Sequence, residues 1–217
     1  MELCEQGSLQ DFLEDFATNA ALIDEYRVWQ FLADIALALS HVHNLNIIHL
    51  DVKPANLLIA KDFRLKLGDF GLATYWPVPL DTEREGDRNY IAPEILLASY
   101  GKPADIFSFG LVVLELTANV VLPEFGSDWH RLRSGDLSIC DLSRASQPLR
   151  DLIRSMLDPD ATKRPTADQI LAHPLVATLI DNPETDRGEK ISMLTETPIP
   201  LSVLAFPRKQ SVAEMEF

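Results

Sequence analysis

Residues 49–56 read HLDVKPAN and residues 68–71 read GDFG. Asp51, Lys53 and Asn56 place a carboxylate, an ammonium and an amide on one short stretch between apolar runs, and Asp69 follows beyond a second apolar run. Phosphoryl transfer to a hydroxyl needs this set of groups. It requires an acceptor for the hydroxyl's proton, a cation beside the moving phosphoryl group, and hard oxygen ligands for Mg²⁺. On that chemistry Asp51 would orient the hydroxyl and accept its proton, Lys53 would contact the γ-phosphate, and Asn56 and Asp69 would hold the metal. His49 and Phe70 read as packing residues, because a His beside a Phe is structural more often than catalytic.

The surrounding pattern must bring these groups together. NLLI (56–59) and RLKL (64–67), separated by AKDF, read as a short hairpin joining the loop to the GDFG turn. Leu9, Phe12, Leu13 and Phe16 recur at helical spacing behind a capping Ser8. The strongest amphipathic pattern runs from Asp24 to His43, through Val28, Phe31, Leu32, Ile35, Leu39 and Val42. Residues 104–119 are apolar on nearly all faces and predict a central buried helix. Shorter helices are expected at 127–134, 146–157 and 166–173, the last two capped by Ser146 and Thr166. Residues 68–103 carry turn residues and no long period, so they read as an extended, functional loop. From 179 to 217 no period remains, and a loosely held tail is expected.

The 217 residues, 47% hydrophobic, suffice for a sizeable core. The longest apolar run, from Phe107, is shorter than the about 20 residues a bilayer demands, and the opening residues do not read as a secretory signal. Cys4 and Cys140 make no disulfide framework, which points to a reducing, intracellular compartment. A net charge of −14 argues against a nucleic-acid surface.

The spacing His-x-Asp-x-x-x-x-Asn followed by Asp-Phe-Gly, here His49 to Asn56 and Asp69 to Gly71, resembles the protein-kinase catalytic loop and metal-binding turn. A lone HxDxxxxN also resembles small-molecule kinases related to aminoglycoside phosphotransferases. Three further stretches favour a protein kinase. GDRNYIAPEIL (86–96) ends in Ala92-Pro93-Glu94, DIFSFG (105–110) resembles the buried-helix signature whose Asp105 caps the catalytic loop, and Arg164 of DPDATKRPTADQIL stands where the family places the partner of Glu94. HLDVKPAN, EGDRNYIAPEIL, YGKPADIFSFGL and ANVVLPEFGSDWHRLRSGDL together resemble the Wee family, its fungal members above all. The resemblance implies a protein kinase-like fold: a mainly α C-terminal lobe with one small β-hairpin over 1–178, the N-terminal β lobe lying outside this chain.

The resemblance also implies ATP and Mg²⁺ as cofactors, a cyclin-dependent kinase with its cyclin as substrate, a tyrosine as acceptor, and a nuclear or cytoplasmic place in restraining mitosis. Neither nucleic acid nor membrane is an implied partner. MELCEQGSL at the start resembles the hinge between lobes, so backbone groups of Glu2 and Cys4 would bond adenine, with Leu58 beneath the ring. No Gly-rich phosphate loop precedes it, so the 217-residue chain is expected to be a fragment, inactive alone; a non-catalytic module that docks a cyclin-dependent kinase is the alternative. Two departures stand out. Leu50 occupies the place of the Arg that pairs with an activation-segment phosphate in many kinases. Asp87 replaces the Thr usual in Ser/Thr kinases and is expected to reach Lys53.

Overall fold

The structure is a computed structural model that describes residues 4–18, 23–79 and 86–181, and for 15–18 the backbone alone. Met1, Glu2, Thr82, Arg84, the side chain of Phe16 and the tail 182–217 therefore lie outside the described residues. In chain order the elements are α1 (Leu9–Thr18), α2 (Glu25–Asn44), β1 (Ile47–Ile48), β2 (Leu57–Ile59), β3 (Leu65–Leu67), β4 (Thr74–Tyr75), α3 (Lys102–Ala118), α4 (Ser127–Arg133), α5 (Gln147–Met156), α6 (Ala167–Leu171) and α7 (Pro174–Asp181).

Local chemistry starts these helices where the sequence expects. The Asp11 amide donates to Ser8 Oγ at 3.2 Å, and the Ser8 amide returns a bond to Asp11 at 2.8 Å. Asp24 caps α2 through the Tyr26 amide, Ser146 caps α5 through Leu149, and Thr166 with Gln169 forms a capping box on α6. The largely apolar α3 is buried from Ala104 to Leu116, its polar Asp105, Ser108 and Glu115 included, and this helix packs on α2 and α5. Gly110 permits that contact, since a Cβ there would lie 2.9 Å from Met156 Cβ.

The hairpin forms as expected, β2 pairing antiparallel with β3 in the register Leu57↔Leu67, Leu58↔Lys66 and Ile59↔Leu65. It is not the sole sheet. β1 pairs with β4, Ile47↔Tyr75 and Ile48↔Thr74, so the stretch expected as a plain loop over 68–103 is tied down near its start. A 3₁₀ turn at Pro93–Leu97 further corrects that reading. Elements of two residues carry no readable period. The expectation of a tail from 179 also needs correction, because α7 begins at Pro174 and continues through Asp181. Among the described residues no helix is long and apolar enough to cross a membrane.

The turn at 93–97 is fastened to the helical body by an ion pair between a half-buried Glu94 and a buried Arg164. Arg164 Nη1 and Nη2 donate to the two oxygens of Glu94 at 2.6 and 2.8 Å, a bidentate arrangement. Nη1 also reaches the Pro103 carbonyl and Nε the Asp158 carbonyl, while the guanidinium lies 4.7 Å from the Phe107 ring centroid. The Arg164 side chain is 0% exposed. Removing its counter-charge strands a buried cation, so Glu94→Gln is expected to cost about 3–5 kcal/mol in urea unfolding. Asp151→Ala, which breaks an exposed pair with Arg154, is expected to change stability by no more than about 1 kcal/mol. Equal effects of the two substitutions would contradict this account.

Candidate active site

The loop 49–56 is held from below by α3. Asp105, in the first turn of that helix, accepts from the His49 amide, the Leu50 amide and His43 Nε2, each at 2.8 Å. These bonds keep Leu50 at φ 64°, a left-handed conformation that a leucine adopts only where its surroundings impose it. His49 carries the constraint onward. Its Nε2 lies 2.9 Å from the Gly68 carbonyl, which can only accept, so Nε2 bears the proton. Nδ1 is then free to accept from the Asp51 amide at 3.3 Å. The His49 ring meets Phe70 edge-on, with centroids 4.9 Å apart. One imidazole thus joins the loop to the GDFG turn.

Asp51 is 8% exposed, and its two oxygens differ. Oδ2 accepts from Asn56 Nδ2 at 2.8 Å and pairs with Lys53 Nζ at 3.1 Å. Oδ1 is buried with no partner among the described residues. A bare, buried carboxylate oxygen is costly unless a ligand completes it, and a hydroxyl donor would do so. Because Asn56 Nδ2 is engaged with both the carboxylate and the carbonyl of Asp51, its Oδ1 remains for another partner. The Gly68 amide donates to the Asn56 carbonyl at 2.8 Å, which sets the exposed Asp69 beside it. Asp69 sits at φ 53° with one oxygen taking the Gly71 amide at 3.1 Å. An amide oxygen and a carboxylate are the hard donors that Mg²⁺ prefers, with water filling the remaining positions. The donor set fits that cation.

Lys53 stands between two carboxylates, Asp51 at 3.1 Å and Asp87 at 3.4 Å. Burial disfavours its charge, but the two carboxylates outweigh that effect and hold the ammonium above its ordinary pKa. Asp87 is brought there by a close approach of two backbones. A Cβ on Gly86 would lie 2.4 Å from the Leu50 carbonyl oxygen and 3.9 Å from Asp51 Oδ1, so only glycine fits. Behind this segment Tyr90 Oη donates to Glu115 at 2.6 Å, and burial pushes the Glu115 carboxyl up to about 7.

Of the residues expected around a nucleotide, Leu58 is half-buried on β2 against Gly68, and Cys4 is half-buried with a free thiol. Glu2 lies outside the described residues. Phe70 is 47% exposed at the rim of a groove of about 380 Å³ between α2 and β3. Gly86, Tyr90, Ser108, Trp129 and Arg133 are positioned around the site without having been singled out in the sequence. Trp129 and Arg133, four apart on one helix face, offered a local signal in WHRLR.

Residues 1–176 match the family model described as the protein kinase domain. The mitosis inhibitor protein kinase wee1 of Schizosaccharomyces pombe is 47% identical over 196 residues, covering 79% of this chain and 22% of that protein. The mitosis inhibitor protein kinase mik1 of the same yeast is 45% identical over 190 residues, 80% of this chain and 32% of the relative. A membrane-associated tyrosine- and threonine-specific cdc2-inhibitory kinase of Drosophila melanogaster is 41% identical over 182 residues, again 80% and 32%. The chain thus spans between about a fifth and a third of the length of these relatives. With its catalytic-loop motif, its Glu94–Arg164 pair and these matches, the chain belongs to the protein kinases and, within them, to the Wee family.

Proposed function

We propose that the protein carrying this chain transfers the γ-phosphoryl group of ATP to a tyrosine of a cyclin-dependent kinase bound to its cyclin, and so restrains the onset of mitosis. The observation that carries this reading is the buried, unpartnered Oδ1 of Asp51 beside a Lys53 held by two carboxylates. The names of the relatives, mitosis inhibitors and a cdc2-inhibitory kinase, supply the substrate class.

In this reading Asp51 Oδ1 accepts the proton of the tyrosine hydroxyl while that oxygen bonds to the γ-phosphorus and the bond to the ADP oxygen breaks. Lys53 contacts the γ-phosphate and balances the charge developing there. Asn56 Oδ1 and Asp69 would hold Mg²⁺, which would supply positive charge to offset that of the phosphates. Leu58 would pack beneath the adenine and the Cys4 backbone would meet its edge, while Glu2 lies outside the described residues. His49 and Phe70 keep the loop and the metal-binding turn in register, Gly71 supporting the turn through its amide.

Full-length protein assayed on a cyclin-dependent kinase–cyclin complex tests the assignment. Asp51→Asn is expected to lower turnover by about 10²–10⁴-fold, the range for a positioned acid–base group. Asp69→Asn is expected chiefly to raise the Mg²⁺ concentration needed. Wild-type protein that binds the complex but transfers no phosphate would support the docking-module alternative and sink the enzyme reading.

Asp87 carries a second expectation. With Leu50 in place of Arg, a phosphate on the activation segment has no counter-charge at that position, whereas Asp87 already supplies a fixed negative charge to Lys53. Arg88, one competing anchor, has its side chain in solvent. Replacing Thr74, Tyr75 and Thr82 by residues without hydroxyls is therefore expected to leave most activity. Asp87→Thr is expected to lower turnover or relax the tyrosine preference. Activity that depends wholly on a phosphate at one of those hydroxyls, with Asp87→Thr silent, would overturn this.

A further inference from the structure

Three successive carbonyl oxygens following Asp87 are gripped by side chains from two helices. The Arg88 carbonyl accepts from Trp129 Nε1 at 2.9 Å and from Arg133 Nη2 at 2.7 Å. The Asn89 carbonyl accepts from the same Nη2 at 3.2 Å. The Tyr90 carbonyl accepts from Ser108 Oγ at 2.8 Å. On the opposite side of the same peptides, the amides point to Asp87. The Asn89 amide donates to Asp87 Oδ1 at 3.0 Å, and the Tyr90 and Ile91 amides donate to the Asp87 carbonyl at 2.9 Å each.

Planarity makes these two sets of bonds one constraint. A carbonyl and the next residue's N–H belong to a single rigid plane. Holding the Arg88 oxygen therefore fixes the Asn89 amide on the Asp87 carboxylate. Holding the Asn89 and Tyr90 oxygens fixes the Tyr90 and Ile91 amides on the Asp87 carbonyl. The Asp87 carboxylate, with one oxygen fastened in this way, can present the other to Lys53.

Arg133 is an expensive way to fill this position unless the grip matters. It is 5% exposed, its Nη1 donates to the Trp129 carbonyl, and its guanidinium lies 3.7 Å from the Trp129 ring centroid. Among the described residues none of its partners is a carboxylate, and Nε has no partner at all. Burial pushes its pKa down to about 10, which still leaves it charged near neutral pH. A buried cation without a counter-ion is disfavoured. What the planar fork provides, and an apolar side chain or a Lys does not, is directed bonds to two carbonyls while it stacks on the indole.

We propose that Arg133, stacked on Trp129, is a positioning residue of the active site: it sets the peptide planes of 88–90, which keep the Asp87 carboxylate on Lys53. This rests on the reading of Asp51 and Lys53 as the phosphoryl-transfer centre. The experiment uses full-length protein with Arg133→Met, Arg133→Lys and Trp129→Phe. Two measurements are made on each, phosphoryl-transfer kinetics and hydrogen exchange of the Asn89, Tyr90 and Ile91 amides.

Arg133→Met is expected to lower kcat about 10²-fold, the effect of a displacement near 1 Å at reacting groups, with the KM for ATP unchanged. Arg133→Lys is expected not to rescue it, and Trp129→Phe, which keeps the ring and loses the N–H, to lie between. Adding Asp87→Asn to Arg133→Met is expected to cost little more, since both act through one contact. Faster exchange of the three amides is expected in each Arg133 and Trp129 variant. Unchanged exchange, or kinetic effects of Arg133→Met and Asp87→Asn that simply multiply, would overturn the proposal. Should the wild type transfer no phosphate, the kinase reading fails, yet the exchange measurement still decides whether Arg133 holds the segment.

Discussion

A single buried carboxylate, that of Asp105, holds the rest of the site in place. It is 1% exposed and accepts three hydrogen bonds, two from successive amides of the catalytic loop and one from His43 on α2. Its position in the first turn of α3 suits a negative charge, because the unpaired N–H groups of a helix start give that end a positive potential. Without those bonds, two buried amides would lack partners, and each such loss costs about 1–3 kcal/mol. The left-handed Leu50 would also lose what imposes its conformation. From this point the constraint passes through His49 to Gly68 and through the Leu50 carbonyl to Gly86. The GDFG turn and the stretch from Gly86 are both referred to the same helix.

The parts of this arrangement that the sequence declares are those encoded within one element. Caps at Ser8, Asp24, Ser146 and Thr166 are short-range hydrogen bonds between neighbours, and they start the helices where residue type says they must. The α3 pattern is apolar all round because every face of the helix is covered. The hairpin alternates because one side of it is buried. The β1–β4 ladder escapes such reading, being two residues long, with its partners separated by the whole hairpin. Helix α7 escapes for another reason. Its start at Pro174 is the favoured N-terminal place for proline, but the polar run after Asp181 gives the stretch the composition of a tail.

Within the site, side-chain identities were legible and backbone contacts were not. Asp51, Lys53, Asn56 and Asp69 announce themselves because few other chemistries use that spacing; the fold brings the first three into mutual contact, and Asp69 follows the Gly68 amide that bonds the Asn56 carbonyl. Arg133 recognises carbonyl oxygens of residues 88 and 89, which every amino acid possesses, so no residue type marks its target. The same holds for Gly86, whose lack of a side chain matters only because the Leu50 carbonyl approaches it. Contacts between a side chain and a distant backbone leave one readable end at most.

Magnitudes decide how the activation segment keeps its shape. The Lys53–Asp87 pair, at 3.4 Å with side chains 23% and 35% exposed, is a partly solvated contact, and such pairs contribute about 0–1 kcal/mol. That is too little to select one conformation of a loop whose ordering costs roughly 1–2 kcal/mol for each residue fixed. The pair can therefore report the correct geometry but cannot enforce it. Enforcement has to come from directed bonds in less solvated places. These are the carbonyl grips of Arg133 and Ser108 on residues 88–90, aided by Trp129, and the pair of Glu94 with the buried Arg164 at the segment's far end. A phosphate anchored by an Arg beside the catalytic Asp would do the same work by adding charge after folding. Leu50 offers no such charge, and side chains of α3 and α4 already hold the carbonyls of residues 88–90.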